Sequence, residues 1–230
     1  MQYRQYRTAM TVLRIACISV KPGVGKTTTA LFLGQSYRDR GRDPVVVDAD
    51  KGASGLTWMQ DAGGLTFPVV GQPTTTLHRT LRGVEAGRDT MIVDAPQLED
   101  HAAIARSALI YADVWLFPLA PAGIEVRRSI LRLRTLLEDA RDMREQLGRP
   151  RDPQLEFVLL NRTNRPYATK SGPDAEFREA LTEKGFRVLN TVIAFHDDLY
   201  RQAYGNPIDT AGTTYPDAAR EILAAWEKTE

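Results

Sequence analysis

A glycine- and lysine-rich stretch near the amino terminus most constrains what this chain can fold into. Residues 19–29 read SVKPGVGKTTT and lie between an apolar run, Val12–Val20, and an amphipathic segment, Ala30–Arg40. A turn between a strand and a helix suits phosphate binding, because glycines let the backbone approach an anion and the helix directs its first N–H groups towards it. Lys26 adds a positive charge, and the Thr27 hydroxyl is a suitable ligand for Mg²⁺. The stretch therefore predicts a phosphate-binding turn after the first strand.

Strand-like and helix-like segments alternate along the chain. Apolar or β-branched runs predict strands at Pro44–Ala49, Phe67–Gly71, Met91–Val93, Val114–Leu119, Leu155–Leu160 and Arg187–Ile193. Apolar residues at helical spacing predict helices at Thr27–Arg40, Thr74–Glu85, Asp100–Tyr111, Ile124–Leu147, Pro173–Lys184, Asp197–Tyr204 and Pro216–Lys228. Between them, Gly52–Gly64 is expected to be mainly loop. The alternation predicts an α/β fold with a mostly parallel, twisted sheet flanked by helices on both faces.

Length and composition favour a single domain in a reducing compartment. We expect a short tail at residues 1–11 and one domain at residues 12–230, because this length is sufficient for one well-buried core. The 30 basic and 29 acidic residues nearly cancel, so nucleic-acid binding would require a local basic patch. The single cysteine, Cys17, cannot form an internal disulfide and is expected in the core of a cytoplasmic protein. No apolar run approaches the ~20 residues of a membrane span.

A second lysine distinguishes this stretch from the common GxxxxGK[ST] phosphate loop. Lys21 lies five residues before Lys26, and Val20 stands where the common pattern has its first glycine. The spacing resembles the deviant Walker A motif, KGGxGKT, of the ParA/MinD family of P-loop ATPases. That resemblance implies a P-loop NTPase fold, ATP and Mg²⁺ as ligands, and a homodimer in the ATP state. In such a dimer Lys21 would reach into the partner's phosphate site and act in catalysis together with Lys26.

The resemblance also implies a set of nucleotide-binding residues. This set is Lys21, Gly23, Val24, Gly25, Lys26, Thr27, Thr28 and Asn161. Asn161 belongs to a segment, Val158–Arg162, that resembles the strand end bordering the adenine in this family, where an amide can pair with a purine edge. A turn-forming asparagine is the alternative interpretation of the same residue.

Acidic residues follow two of the predicted strands and complete the expected catalytic site. Asp94 follows the strand Met91–Val93 and is the natural Walker B acid to hold Mg²⁺ through water, while the Thr27 hydroxyl ligates the ion. Asp48 and Asp50 form a DxD element that resembles the family's Walker A′ motif, which implies that Asp50 activates the attacking water and that Asp48 supports the metal shell. Capping by strand-end acids is the alternative. The three scattered histidines indicate no metal site beyond Mg²⁺.

Pro22 departs from the family motif, which usually has glycine at this position. Proline lacks an N–H group and fixes φ at about −65°, so the loop loses one phosphate donor and becomes stiffer. We therefore expect slow ATP hydrolysis and an altered reach of Lys21 across the dimer.

The resemblance favours a DNA-segregation ATPase of the short ParA type. Too few residues precede Lys21 for a helix-turn-helix domain, so operator recognition and stimulation of hydrolysis would fall to a separate ParB-type or adaptor protein. Nonspecific DNA would be bound in the ATP state by Arg162, Arg165 and Lys170, which have few acidic neighbours. Arginines of the predicted helix Ile124–Leu147 could also contribute to a DNA-binding surface. The alternative is a solvent-exposed helix face on which they pair with neighbouring acids. The protein would be cytoplasmic and associated with the nucleoid.

Other functions are possible on the same scaffold. The last predicted helix lacks the Lys/Arg-rich face of a membrane-surface helix, so no membrane partner is expected. The alternatives are a MinD-like ATPase that acts on another surface, a positioner of protein microcompartments, and a metabolic P-loop enzyme. The sequence contains no substrate motif that favours the metabolic enzyme.

Overall fold

A parallel sheet organises the residues that the computed structural model describes, which are 11–85, 87–121, 125–163, 173–195 and 205–229. Its strands are β1 (Leu13–Cys17), β2 (Pro44–Asp48), β3 (Val69–Gly71), β4 (Thr90–Asp94), β5 (Val114–Leu119), β6 (Leu155–Thr163) and β7 (Val188–Ala194). The spatial order is β3-β2-β4-β1-β5-β6-β7, and every neighbouring pair is parallel. The predicted parallel α/β sheet is confirmed.

Helices cover both faces of this sheet. Those of the described residues are α1 (Lys26–Asp39), α2 (Ser54–Asp61), α3 (Leu77–Val84), α4 (Leu98–Tyr111), α5 (Glu125–Gln146), α6 (Pro173–Glu183) and α7 (Tyr215–Trp226). On one face, α1 and α7 bury Phe32 and Tyr215, whose ring centres are 5.0 Å apart. On the other face, α3, α4 and α5 bury Leu81, Leu109 and Leu137. Two apolar layers therefore enclose the sheet, as the alternation of elements predicted.

The carboxyl ends of β1, β2 and β4 meet near the centre of one edge of the sheet. In the strand register Asp94 is opposite Cys17 on one side and opposite Asp48 on the other. Because β1 has β4 on one side and β5 on the other, the chain leaves β1 where the strand order reverses. Open α/β sheets bind their ligands at this point. The fold thus brings the glycine-rich turn together with the strand-end acids.

Predicted elements are largely confirmed, with differences of a few residues at their ends. Differences of three residues occur in β6, which continues beyond the predicted Leu155–Leu160 to Thr163, and in α3, which begins at Leu77 and not at the predicted Thr74. The predicted helix Asp197–Tyr204 and residues 1–10 of the predicted tail lie outside the described residues, and the division at residue 12 stays a prediction. None of the helices described is at once long and apolar enough to cross a bilayer.

The prediction that Gly52–Gly64 is mainly loop is wrong, because Ser54–Asp61 forms α2. No side chain at the start of α2 caps it locally. Its N–H groups are instead bound by the carboxylate of Asp48, which accepts from Gly55 at 2.8 Å and from Leu56 at 3.0 Å. A cap supplied from seven residues upstream cannot be recognised from the local pattern of α2.

Candidate functional site

The turn after β1 has the geometry of an anion-binding loop. Directly before α1, Gly23 and Gly25 adopt left-handed backbone conformations with φ of +74° and +86°. A Cβ atom on Gly25 would lie 2.7 Å from the amide nitrogen of Asn161, so conformation and space both require glycine there. The first N–H groups of α1 have no partner within the helix and can bind a phosphate at this turn.

A pocket of about 340 Å³ opens beside the turn, within the range of small-ligand sites. Its walls come from the turn itself and from the segments that follow β2 and β4. They are formed by Pro22, Gly23, Gly25, Lys26, Thr27, Thr28, Asp50, Ser54, Trp58 and Gln97. Five of the eight predicted nucleotide-binding residues are in this set, whereas Lys21, Val24 and Asn161 are not. The structure therefore brings the glycine-rich turn and one predicted catalytic acid to the same pocket.

Asp94 is a buried acid that the described residues leave without a well-formed hydrogen bond. Its side chain ends β4 with only 1% exposure, and neither carboxylate oxygen accepts a well-formed hydrogen bond from the described part of the chain. Burial raises the pKa of Asp94 from 3.8 to about 7, although the nearby Thr27 hydroxyl and Lys26 ammonium lower it. An acid kept in such a position is suited to bind a cation that the protein itself does not supply.

The residues around Asp94 fit a magnesium ion held jointly with a ligand. Within the described residues, no group of three or more His, Cys, Asp or Glu side chains could hold a metal ion alone. Mg²⁺ rarely uses such all-protein sites; it is commonly held by one or two protein oxygens, phosphates and water. The unpartnered carboxylate of Asp94 and the hydroxyl of Thr27 are oxygen ligands of this kind.

Asp48 and Asp50 differ in what their side chains contact. Asp48 is buried, and its carboxylate accepts from the N–H of Asp50 at 3.1 Å as well as from two N–H groups of α2. Burial raises the pKa of Asp48, and these hydrogen bonds oppose the rise. Asp50 lines the pocket and accepts from the N–H of Gly52 at 3.0 Å. Asp48 therefore fixes the start of α2, whereas Asp50 faces the pocket.

Asn161 contacts the phosphate loop through its amide. Its Nδ2 donates to the carbonyl oxygen of Val24 at 2.9 Å and to the hydroxyl of Thr29 at 3.2 Å. Its Oδ1 accepts from the N–H of Arg162 at 2.9 Å. The predicted contact between Asn161 and a purine stays a prediction, and its support of the loop is a role that the sequence did not indicate.

Arg162 lies over the phosphate loop. Its guanidinium donates to the carbonyl oxygen of Gly23 and lies 5.3 Å from the ring centre of Phe195. The other two predicted DNA contacts, Arg165 and Lys170, lie outside the described residues. A DNA-binding role for these three residues stays a prediction.

Arginines of α5 and the turn after it make ion pairs with neighbouring acids. Arg141 pairs with Glu138, Asp152 and Glu156, and Arg151 with Glu138, Asp142 and Glu145. These contacts support the interpretation of this surface as a solvated set of paired charges.

Sequence reasoning missed several residues of the pocket wall. Trp58 is buried, lines the pocket, and donates from its indole nitrogen to the carbonyl oxygen of Asn206 at 2.9 Å. Ser54 and Gln97 complete the wall from the segments after β2 and β4. The available signal was their position shortly after strands that end in acids, since such segments border the ligand crevice of an α/β sheet.

Comparison with known sequences finds a family that matches most of the chain. Residues 15–208 match the family described as the CobQ/CobB/MinD/ParA nucleotide binding domain. Over 113 residues the chain is 33% identical to the maintenance of carboxysome distribution protein A of Gloeobacter kilaueensis. That alignment covers 49% of this chain and 51% of the relative, so the chain matches about half the length of that protein.

Solved structures share the fold at low sequence identity. The ADP- and magnesium-bound cobyrinic acid a,c-diamide synthase of Mycobacterium smegmatis superimposes with a TM-score of 0.69 at 15% identity, covering 95% of this chain and 97% of that chain. A plasmid partition protein of Borrelia burgdorferi bound to AMPPNP gives a TM-score of 0.64 at 19% identity, with coverages of 95% and 100%. These likenesses concern the fold alone.

Proposed function

The chain belongs to the CobQ/CobB/MinD/ParA family of nucleotide-binding domains, and from this premise we propose that it is an ATPase that binds ATP with Mg²⁺. The observation that carries the proposal is the buried carboxylate of Asp94 beside the glycine-rich turn, which accepts no well-formed hydrogen bond from the described residues. A buried acid without a partner costs free energy, and a metal ion bound with the triphosphate would offset that cost. The ADP and magnesium bound by the Mycobacterium smegmatis enzyme are consistent with this choice of ligands.

The pocket offers a role for each part of the nucleotide's phosphate chain. The first N–H groups of α1 and the ammonium of Lys26 would bind phosphate oxygens, while Thr27 and Asp94 would hold the metal, supported by Asp48, which is opposite Asp94 in the strand register. A bound Mg²⁺ would supply positive charge that neutralises the phosphates during hydrolysis. Asp50 faces the same pocket, which supports a role in orienting the attacking water. The resulting reaction is hydrolysis of ATP to ADP and phosphate.

We further propose that the ATP-bound protein is a homodimer. Lys21 does not line the pocket of its own chain, although it directly precedes residues that do. This position supports a lysine that acts on the phosphates of the partner subunit. Hydrolysis then depends on dimer formation, and a separate partner protein accelerates it.

The ATP-binding step is tested by removing the charge of Lys26. Lys26→Ala should weaken ATP binding by roughly 100-fold, because charge-assisted contacts to the phosphates are lost. Lys184→Ala, at the exposed turn after α6, is the matched control and should bind ATP normally. Titration calorimetry with Mg²⁺-ATP measures both. Equal affinity of the two variants would refute the proposed site.

Segregation of DNA is the cargo function that we propose for this ATPase. A plasmid partition protein shares its fold, and the short ParA-type pattern implies nonspecific DNA binding in the ATP state, with Arg165 and Lys170 among the predicted contacts. The protein would then be found in the cytoplasm on the nucleoid. Retention on DNA with ATP, ADP or no nucleotide, at several salt concentrations, tests this function. We expect ATP-dependent retention that weakens as salt rises, because phosphate contacts release counterions.

Positioning of a protein microcompartment is a second candidate, favoured by the 33% identity to a carboxysome distribution protein. Gene deletion in the native host separates the two candidates. Loss of plasmids on cell division would support DNA segregation, whereas clustering of compartments with normal plasmid inheritance would support microcompartment positioning. If the protein shows no ATP-dependent DNA retention but turns over a small substrate, a metabolic enzyme is the better description.

A further inference from the structure

Two consecutive residues at the end of β6 hold two consecutive carbonyl groups of the phosphate loop. Asn161 Nδ2 donates to the carbonyl oxygen of Val24 at 2.9 Å, and the Arg162 guanidinium donates to the carbonyl oxygen of Gly23. Neither Asn161 nor Arg162 lines the pocket. Both residues therefore contact the loop from outside the place where the phosphates bind.

The topology places these contacts and the pocket on opposite sides of the loop. Asp50 and Gln97, which line the pocket, follow β2 and β4 on one side of β1, whereas β6 lies on the other side beyond β5. In a trans peptide the C=O group and the next N–H group point in opposite directions. Carbonyl groups of Gly23 and Val24 that are held towards β6 therefore direct the N–H groups of Val24 and Gly25 towards the pocket.

The end of β6 has an unusual backbone that makes this arrangement possible. The pairing of β6 with β7 is irregular between Asn161 and Thr163, which leaves Arg162 as an extra residue in a bulge. Arg162 has a φ of +57°, a left-handed conformation that a residue other than glycine rarely adopts. Bulges and strained residues of this kind commonly turn a side chain towards a functional site.

Contacts in the core fix the direction of the Asn161 side chain, and contacts at the surface fix that of Arg162. The hydroxyl of Thr29 that accepts from Asn161 also lies 3.2 Å from the hydroxyl of Tyr215 on α7, and all three residues are buried. The guanidinium of Arg162 rests on the half-exposed ring of Phe195. Asn161 is thereby anchored to the core, and Arg162 is supported from outside.

We propose that Asn161 and Arg162 are positioning residues that orient the N–H groups of the loop for a polyphosphate ligand. They act through the loop and contact no base. This inference rests on the proposed ATP-binding function, and it assigns Asn161 a role different from the predicted recognition of a purine.

Binding of Mg²⁺-ATP, Mg²⁺-GTP and Mg²⁺-tripolyphosphate tests the proposal. Arg162→Ala should weaken all three by the same factor, roughly tenfold, the value of one hydrogen bond from a charged donor. Arg162→Lys retains a donor and should recover part of the affinity. The matched control is Arg178→Ala. Arg178 also donates to main-chain carbonyl groups, those of Leu189 and Asn190, but these lie near the start of β7, whereas the phosphate loop is near its end.

The buried partner is tested by Asn161→Ala, with folding checked by circular dichroism. An equal loss for ATP, GTP and tripolyphosphate supports the positioning role. Unchanged binding of tripolyphosphate by the exposed-site variant Arg162→Ala, or a change only in the ratio of ATP to GTP affinity, would overturn it.

The wild-type protein separates the two proposals. If the wild-type protein binds tripolyphosphate but not ATP, the proposed ATPase function is refuted. The tripolyphosphate affinities of the Asn161 and Arg162 variants, compared with wild type, would still test the positioning role. A wild-type protein that binds neither ligand would refute both.

Discussion

The two edges of the sheet hold their acidic side chains in different ways. At the amino-terminal edge, Arg14 of β1 binds the carboxylates of Glu85 at 2.7 Å and Asp113 at 2.9 Å, and the hydroxyl of Tyr111 donates to Glu85 at 2.6 Å. At the carboxyl-terminal edge, Asp94 has no such partner among the described residues. Both edges contain partly or fully buried acids, but Glu85 and Asp113 are held by a hydrogen-bonded arginine, whereas among the described residues Asp94 is only near the ammonium of Lys26.

This difference is visible in the pKa values. Burial tends to raise the pKa of Glu85, but hydrogen bonds from Arg14 and Tyr111 outweigh it, so the pKa is lowered overall. Burial of Asp94 prevails, and its pKa rises to about 7. An ion pair can offset the free-energy cost of burying an acid, so the pairs of Arg14 with Glu85 and Asp113 are explained by their contribution to the stability of the fold. The unpaired acid is explained by a ligand that provides the countercharge.

The largest effect is expected when Asp94 loses its charge. Asp94→Asn keeps the shape of the side chain but weakens its binding to Mg²⁺. The metal ion contributes several kcal/mol of transition-state stabilisation in phosphoryl transfer. Hydrolysis of ATP should fall roughly 100-fold or more, as measured by phosphate release at saturating Mg²⁺. Asp113→Asn, at the opposite edge, is the control and should leave the rate of the folded protein unchanged. Similar rates of hydrolysis for wild type and Asp94→Asn would refute the proposed role of Asp94 in binding Mg²⁺.

The two edges should also give opposite pH dependence in the absence of metal and nucleotide. Between pH 3.8 and about 7, folded Asp94 keeps a proton that the unfolded chain has released, so the free energy of unfolding falls as pH rises. One pKa unit corresponds to about 1.36 kcal/mol, so Asp94→Asn should gain up to about 4 kcal/mol relative to wild type at pH 7 and little at pH 4.

Glu85 should act in the opposite direction. Its folded pKa lies below the ordinary 4.5, so its contribution is present above that value and is lost as pH falls through the folded pKa. Urea denaturation of wild type, Asp94→Asn and Glu85→Gln from pH 3.5 to pH 7.5 measures both slopes. If the difference between wild type and Asp94→Asn does not grow with pH, Asp94 is ionised in the folded protein and the contrast between the edges is lost.

Breaking the paired edge should affect stability and not binding. Arg14→Ala removes the partner of Glu85 and Asp113, whose side chains are only 13% and 22% exposed. We expect a loss of about 2 kcal/mol in the free energy of unfolding, at the low end for partly buried ion pairs because Arg14 itself is partly solvated. Affinity for Mg²⁺-ATP, measured well below the melting temperature, should stay within about twofold. A large loss of affinity would mean that this edge also shapes the site.

The sequence allowed much of the carboxyl-terminal edge to be predicted because its signals are local. Lys26 and Thr27 follow a glycine-rich turn, and Asp48 and Asp94 directly follow β-branched or apolar runs. Parallel strands bring their carboxyl ends to one edge, so the position of each acid in its own strand was sufficient to place it near the turn.

The remaining parts of the site depend on contacts between distant residues. The contact of Asn161 with Val24 joins positions 137 residues apart, and no local pattern encodes it. Arg162 was predicted to bind DNA because it has few acidic neighbours in the sequence, and that role stays a prediction. Its contact with the phosphate loop depends on the bulge in β6, which no local pattern indicates. α2 was missed for the same reason, since Asp48 caps it from outside the helix.

The smallest expected effect concerns Pro22, which is exposed and lines the pocket. Pro22→Gly restores one N–H donor, and one neutral hydrogen bond of about 0.5–1.5 kcal/mol predicts an ATP turnover roughly two- to tenfold faster. The same change should lower the free energy of unfolding by about 0.5–1 kcal/mol, because glycine increases the entropy of the unfolded chain. Pro153→Gly, in the turn before β6 at the amino-terminal edge, should show a comparable loss of stability without faster turnover. Phosphate release and dimer formation with ATP measure the outcome. If neither changes in Pro22→Gly, proline does not limit this loop. If turnover also becomes faster in Pro153→Gly, the effect is not specific to the carboxyl-terminal edge.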